Sequence, residues 1–257
     1  MARKFMKPQL RFSKQAEKYN HSAWFQRKIA AELASKIAAE EISASAKLLD
    51  IGCGTGFLAQ ILQQQKIAGE IIQLDISEAM IKQTKSAFTK AKSVVADMHA
   101  LPFAEKTFSL LLSSCALQWC YNIPKLFLDL KNITSPGGKW LFATVLEESH
   151  PEWITSMQAT NIFLTREKLP NFNDYKKALQ EIAPTAEIYQ REYVELYPSF
   201  SAFLRDLKNI GASKNIKPEK SLTKTDLREL EKYYQQNFSG GENIQATWKI
   251  AWISAGF

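Results

Sequence analysis

Cysteine is scarce, with only Cys53, Cys115 and Cys120 in 257 residues. Three thiols cannot all pair, and none sits in a C-x-x-C, so neither a disulfide framework nor a dithiol redox motif organises this chain. Reduced thiols in a cytoplasmic protein are the expectation. Histidine is equally rare. His21, His99 and His150 have no metal-ligand spacing, so no metal site is expected. No apolar run approaches about 18 residues, which argues against a membrane span. The N-terminus is basic but lacks the apolar core of a signal peptide. Internal repeats and low-complexity tracts are absent. Hydrophobic residues nevertheless make up 46%, enough for a folded core at this length.

Three of only ten glycines fall at alternate positions, in Lys47-Leu48-Leu49-Asp50-Ile51-Gly52-Cys53-Gly54-Thr55-Gly56-Phe57. An apolar run ends in an acid, the glycines follow, and Leu58, Ile61 and Leu62 continue with helical spacing. That pattern reads as strand, tight turn and helix. The glycines allow close backbone approach to a ligand, and the helix start offers unpaired N–H groups. A G-x-G-x-x-G dinucleotide fingerprint would need glycine where Phe57 stands. No Gly-Lys-Ser/Thr follows, so a P-loop is excluded too.

Further strand ends carry polar residues in register. Glu70–Asp75 is a second apolar strand ending in an acid 23 residues after Gly52, where a carboxylate can accept both hydroxyls of a ribose. A third, Ser93–Ala96, leads into Asp97 and Met98, and an acid there can take the amino group of an adenine. The fourth, Phe108–Ser113, runs into Ala116-Leu117-Gln118-Trp119. Pro136-Gly137-Gly138 turns into a fifth strand over Lys139–Val145. Alternation of strands and helices from about 46 to 145 implies parallel βαβ units with right-handed crossovers. The expected fold is therefore α/β: a doubly wound, Rossmann-like, mostly parallel seven-stranded sheet with helices on both faces and a helical cover over the active site.

Residues 14–41 read as one long helix, with Ala16, Ala23, Ala30 and Ile37 at sevenfold spacing and Tyr19 and Leu33 on the same side. Gln26 falls on that apolar stripe, where a polar group must find a partner or line a site. Residues 1–45 are assigned as a basic arm and covering helix, and 46–257 as the main domain. Within the latter, a helical insertion is expected near 146–185 and a helical pair near 199–238. A strand over 186–196 and a last strand near 244–254 complete the chain.

The net charge of +7 is uneven. Residues 1–18 hold six basic side chains against Glu17 alone, and residues 201–240 hold eight against five acids. No nucleic-acid module accompanies this charge, so nucleic acid is disfavoured and an acidic protein is the better partner.

The spacing D-x-G-x-G-x-G resembles motif I of the class I S-adenosylmethionine-dependent methyltransferases. Three further segments are similar to the malonyl-acyl-carrier-protein O-methyltransferases of biotin synthesis: Phe12–Tyr19 followed by Gln26-Arg27, Ala116–Cys120, and Leu204–Ala212. Glu147-Glu148-Ser149-His150-Pro151 departs from that family's pattern. The resemblance implies S-adenosylmethionine as cofactor, with Gly52, Cys53, Gly54 and Gly56 around its methionine part. It also implies Asp50 holding the glycine loop or the amino group, and Asp75 on the ribose. Ile76 and Met80 would flank the adenine, Asp97 and Met98 would read its edge, and Ser113 would lie beside the reacting centre. On the acceptor side it implies Tyr19, Gln26, Arg27, Gln118 and Trp119, with Tyr19, Gln118 and Trp119 as positioning candidates. The implied partner is an acidic acyl carrier protein bearing a malonyl thioester, and Arg205, Lys208 and the basic arm are docking candidates. A mitochondrial relative of similar layout, associated with complex I assembly and arginine hydroxylation, keeps a non-methylating role open. Methylation of a small free carboxylic acid is the other alternative.

Overall fold

Strand burial alternates so that both faces of one sheet are covered. On one face Leu48, Leu110, Leu112, Leu141, Ala143 and Val145 join a core under the N-terminal helix; on the other, Leu49, Ile51, Leu111, Trp140 and Phe142 join a second core. A strand buried on both faces needs the near-continuous apolar run seen in the sequence. The computed structural model describes residues 19–20, 22–87, 92–162, 164–166, 169–210, 216–218 and 221–257. The basic arm 1–18, His21, Gly211 and Ala212 lie outside the described residues.

The described elements are α1 (Trp24–Ala38), β1 (Lys47–Ile51), α2 (Phe57–Gln64), β2 (Glu70–Asp75), α3 (Glu78–Ala87), β3 (Lys92–Val95) and β4 (Phe108–Ser114), followed by a 3-10 turn over Leu117–Trp119. Next come α4 (Ile123–Ile133), β5 (Thr134–Val145), α5 (Pro151–Ala159), β6 (Leu164–Arg166), α6 (Phe172–Ile182), β7 (Glu187–Tyr197) and α7 (Phe200–Asn209). The chain closes with β8 (Ile216–Pro218), α8 (Lys224–Phe238), β9 (Ser239–Gly240) and β10 (Asn243–Gly256). The main sheet has the order β3-β2-β1-β4-β5-β10-β7, with β9 paired to β10. Pairings from β3 through β5 are parallel, and both pairings of β10 with β5 and β7 are antiparallel. This is the doubly wound, mostly parallel sheet expected. The order reverses between β1 and β4, and a ligand crevice belongs at the carboxyl ends of those two strands.

The long helix expected over 14–41 is broken at Ala23 and ends at Ala38; residues 14–18 lie outside the described residues. Ala23, at φ −88° and ψ 37°, interrupts the helical run, and the regular helix spans Trp24–Ala38. Its buried face is Phe25, Gln26, Ile29, Ala30, Leu33, Ala34 and Ile37, the i, i+3/i+4 stripe of a helix lying on a core. Phe25 stacks on Trp248 of β10 with centroids 4.4 Å apart, and Trp24 Nε1 donates to Asp206 of α7 at 3.1 Å. Helix α1 is thereby fixed against the C-terminal half.

The segment Glu147–Pro151 is a clasp on β10. Ser149 Oγ accepts from Lys249 N at 3.0 Å, and His150 N donates to Thr247 O at 2.6 Å. Glu152, buried in the first turn of α5, accepts from both the backbone N–H (3.1 Å) and the hydroxyl of Thr247. His150 adopts φ 59° and packs its ring edge-on to Trp248. Burial drives its pKa down to about 3, so it is neutral at physiological pH.

Candidate active site

A cavity of about 860 Å³ opens at the carboxyl ends of β1, β2 and β4. Its floor is the turn between β1 and α2. Gly52 and Cys53 donate their N–H groups to Leu74 O at 2.7 and 2.9 Å, pinning the turn to β2. Gly52 has φ +69°, and a Cβ added there would lie 2.3 Å from Ala116 Cβ. Only glycine fits, because both the backbone conformation and the neighbour forbid a side chain. Gly54, at φ +55°, has open space where a Cβ would be and lines the cavity.

Two acids stand beside this turn. Asp75 accepts from Gly54 N at 2.9 Å and from Ser77 N at 2.8 Å. Burial raises its pKa, and these backbone N–H bonds partly offset the rise. Asp50 is 1% exposed, and its Oδ2 is buried without a hydrogen-bond partner among the described residues. Burial first, and then the nearby Asp75, push its pKa up to about 7. The resemblance gave Asp50 the glycine loop or the cofactor's amino group; the loop's Gly54 N–H is bonded by Asp75.

Most of the named side chains converge here. Tyr19, Gln26, Asp50, Gly52, Cys53, Gly54, Asp75, Ile76, Met80, Asp97, Met98, Gln118 and Trp119 all line the cavity. Gln26 Oε1 is buried without a partner among the described residues, as expected of a polar group facing a site. Burial raises the Tyr19 pKa well above its ordinary value, so its hydroxyl stays protonated.

Three residues stand elsewhere. Gly56 takes φ +88° as N-cap of α2 and does not line the cavity. Ser113 is turned inward, its hydroxyl donating to Ile51 O at 2.9 Å; strand alternation leaves Ser114 on the cavity. Arg27 is exposed, its guanidinium 4.5 Å over the Phe57 ring and its Nη2 donating to Asn20 O at 3.2 Å. It does not line the cavity.

Other lining residues escaped sequence reasoning. His99 Nε2 accepts from Tyr121 N at 3.3 Å, its ring stacks on Tyr121 at 3.8 Å, and Nδ1 lies 2.8 Å from Asp97 Oδ1. An acceptor role for Nε2 places the proton on Nδ1, toward the carboxylate. Lys177 and Glu181 of α6 also line the cavity. Only the Asp97-Met98-His99 run held a signal, because His99 directly follows two residues already singled out.

Residues 49–142 match the family described as methyltransferase domain. The chain is an S-adenosylmethionine-dependent methyltransferase. The enzyme is 29% identical over 231 residues to malonyl-acyl-carrier-protein O-methyltransferase from Erwinia billingiae, covering 89% of each chain. It is 28% identical over 249 residues to malonyl-acyl-carrier-protein O-methyltransferase 2 from Ilyobacter polytropus, covering 95% of each. Its fold is similar to that of the YcgJ protein from Bacillus subtilis, with a TM-score of 0.61, 13% identity, and coverage of 88% of this chain and 97% of that one. Among the described residues, no helix is long and apolar enough to cross a membrane.

The chemistry of the cavity fits the cofactor: Asp50 and Asp75 line it, and among the described residues Asp50 Oδ2 lacks the partner that the donor's ammonium would supply.

Proposed function

We propose that this methyltransferase esterifies the free carboxylate of a malonyl thioester on acyl carrier protein, in the cytoplasm, as a step toward pimelate and biotin. The observation that carries the reading is the similarity to two malonyl-acyl-carrier-protein O-methyltransferases along nearly the whole chain. Relatives named biotin biosynthesis bifunctional proteins, of which this chain spans less than half, point to the same pathway.

The chemistry asks little of the protein in acid–base terms. When bound, S-adenosylmethionine supplies a methyl group already activated as a sulfonium. It would give that methyl group to a carboxylate oxygen and keep the electron pair of the carbon–sulfur bond on its sulfur. The acceptor is ionised at neutral pH, so no general base is needed. The enzyme's work is alignment and exclusion of the water that would solvate the carboxylate.

In this reading Asp50 pairs with the cofactor ammonium, and Gly52, Cys53 and Gly54 admit its methionine part. Asp75 takes the ribose while holding the glycine turn. Ile76 and Met80 flank the adenine, and Asp97 and Met98 read its edge. Tyr19, Gln26, Gln118 and Trp119 form the acceptor wall. Residues 1–45 serve as a cover over the domain 46–257, and the basic arm with Arg205 and Lys208 meets the acidic carrier protein.

The test is a panel of acceptors with labelled methyl donor: malonyl-carrier protein, malonyl-coenzyme A and free diacids. Label should appear first on malonyl-carrier protein. Preference for free diacids would overturn the acceptor, and cofactor binding without labelling of any acceptor would favour a non-methylating role.

A further inference from the structure

Beneath the acceptor wall runs a buried chain of hydroxyls ending at Gln118. The Cys115 carbonyl can only accept, so the Gln118 amide atom 2.7 Å from it is the nitrogen. Oε1 therefore faces the Thr144 hydroxyl, which donates to it at 3.1 Å. That commits the only hydrogen Thr144 has, so Tyr175 must be the donor in its 3.2 Å contact with Thr144 Oγ1. The order is Tyr175 O–H to Thr144 O–H to Gln118 Oε1. Thr144 and Tyr175 are fully buried and neither lines the cavity; Gln118 does. Burial holds the Tyr175 phenol protonated and able to donate.

The amide can rotate or flip only by breaking bonds at both ends. Its second Nε2 hydrogen has no acceptor among the described residues. Resting on the acceptor reading above, we infer that Thr144 and Tyr175 are positioning residues that lock the Gln118 amide so that its second N–H holds the acceptor's carboxylate. A neutral donor suits the reaction. The carboxylate loses its charge as the ester forms, so a guanidinium would hold the ground state more tightly than the transition state. An amide N–H orients one oxygen and leaves the other its nucleophilicity. The exposed Arg27, stacked on Phe57, is not placed to grip the acceptor in that way.

The experiment compares Gln118→Leu, Thr144→Val, Tyr175→Phe and Thr144→Ser with the unmodified enzyme, on whichever carboxylate acceptor that enzyme methylates fastest. Acceptor KM should rise about tenfold for Gln118→Leu and about threefold for Thr144→Val and Tyr175→Phe, the cost of a lost or loosened hydrogen bond. The kcat should stay within about twofold, and the donor Kd measured by calorimetry should not move. Thr144→Ser, which keeps the hydroxyl, should restore KM. Adding Tyr175→Phe to Gln118→Leu should raise KM no further, because the tyrosine acts only through the amide. An unchanged KM in both hydroxyl variants would overturn the inference, as would additive effects in the double variant or equal losses in donor affinity. If a free diacid is the fastest acceptor, the carrier-protein reading fails while this test still runs on that acid. An enzyme that methylates no carboxylate overturns both.

Discussion

Two buried acids, Asp50 in the parallel half of the sheet and Glu152 against its antiparallel end, are held in opposite ways. Around β1, β2 and β4, Asp50 Oδ2 and Gln26 Oε1 are buried without partners among the described residues, and three glycines take positive φ. Around β10, Glu152 gives both oxygens to Thr247, and Ser149 bonds both the N–H and the carbonyl of Lys249. Unmet polar atoms cost stability unless something binds there. Asp50 keeps a vacant valence that a ligand could fill, and Glu152 spends both oxygens on holding the chain together. The difference teaches where function and stability are separately encoded.

Substitutions can break this contrast. The largest effect is expected for Gly52→Ala, which meets both a forbidden φ and a 2.3 Å clash with Ala116. It should cost about 3–5 kcal/mol of stability, combining left-handed strain with overpacking, and abolish cofactor binding. Denaturant unfolding and calorimetry read the two effects separately.

Asp50→Asn should move the two properties in opposite directions. The folded pKa of Asp50, about 7, lies above the ordinary value of 3.8. The folded form therefore binds this proton more tightly than the unfolded chain. Its contribution is fully present below the unfolded pKa and is lost as pH rises from about 4 through 7. The amide variant should be more stable than the parent at pH 8, by about 2–3 kcal/mol once the amide's own burial is allowed for. Cofactor affinity should fall, because the carboxylate that faces its positive charge is gone. In the parent, affinity should rise with pH through neutrality, and in the variant that rise should flatten. A variant with parental affinity at pH 8 would remove Asp50 from the cofactor site.

Glu152→Ala tests the other side of the comparison. It strands the N–H and hydroxyl of Thr247 and should cost about 2 kcal/mol. Donor Kd should be unchanged in the folded protein. A loss of donor affinity matching the loss of stability would show that clasp and site are one unit.

Much of the parallel half was legible because its signals are local. Asp50 through Phe57 spells strand, turn and helix, and Asp75 ends a strand whose register follows from one βαβ unit. What stayed hidden depends on partners distant in sequence. Arg27 stacks on Phe57 across the helix interface and does not line the cavity. Ser113 and Ser114 differ by one position on a strand, and only the sheet decides which one faces the cavity. Gln118 does line the cavity, but its amide orientation depends on Thr144 from β5 and Tyr175 from α6. Glu152 reads as an ordinary acid in a helix's first turn until Thr247 is brought beside it.

Intact-mass measurement of malonyl-carrier protein after incubation with enzyme and S-adenosylmethionine tests the central claim most directly. A gain of one methyl ester on the malonyl group, removed by mild base, is predicted. An unchanged carrier-protein mass, while free malonate in the same mixture acquires the methyl group, would contradict it.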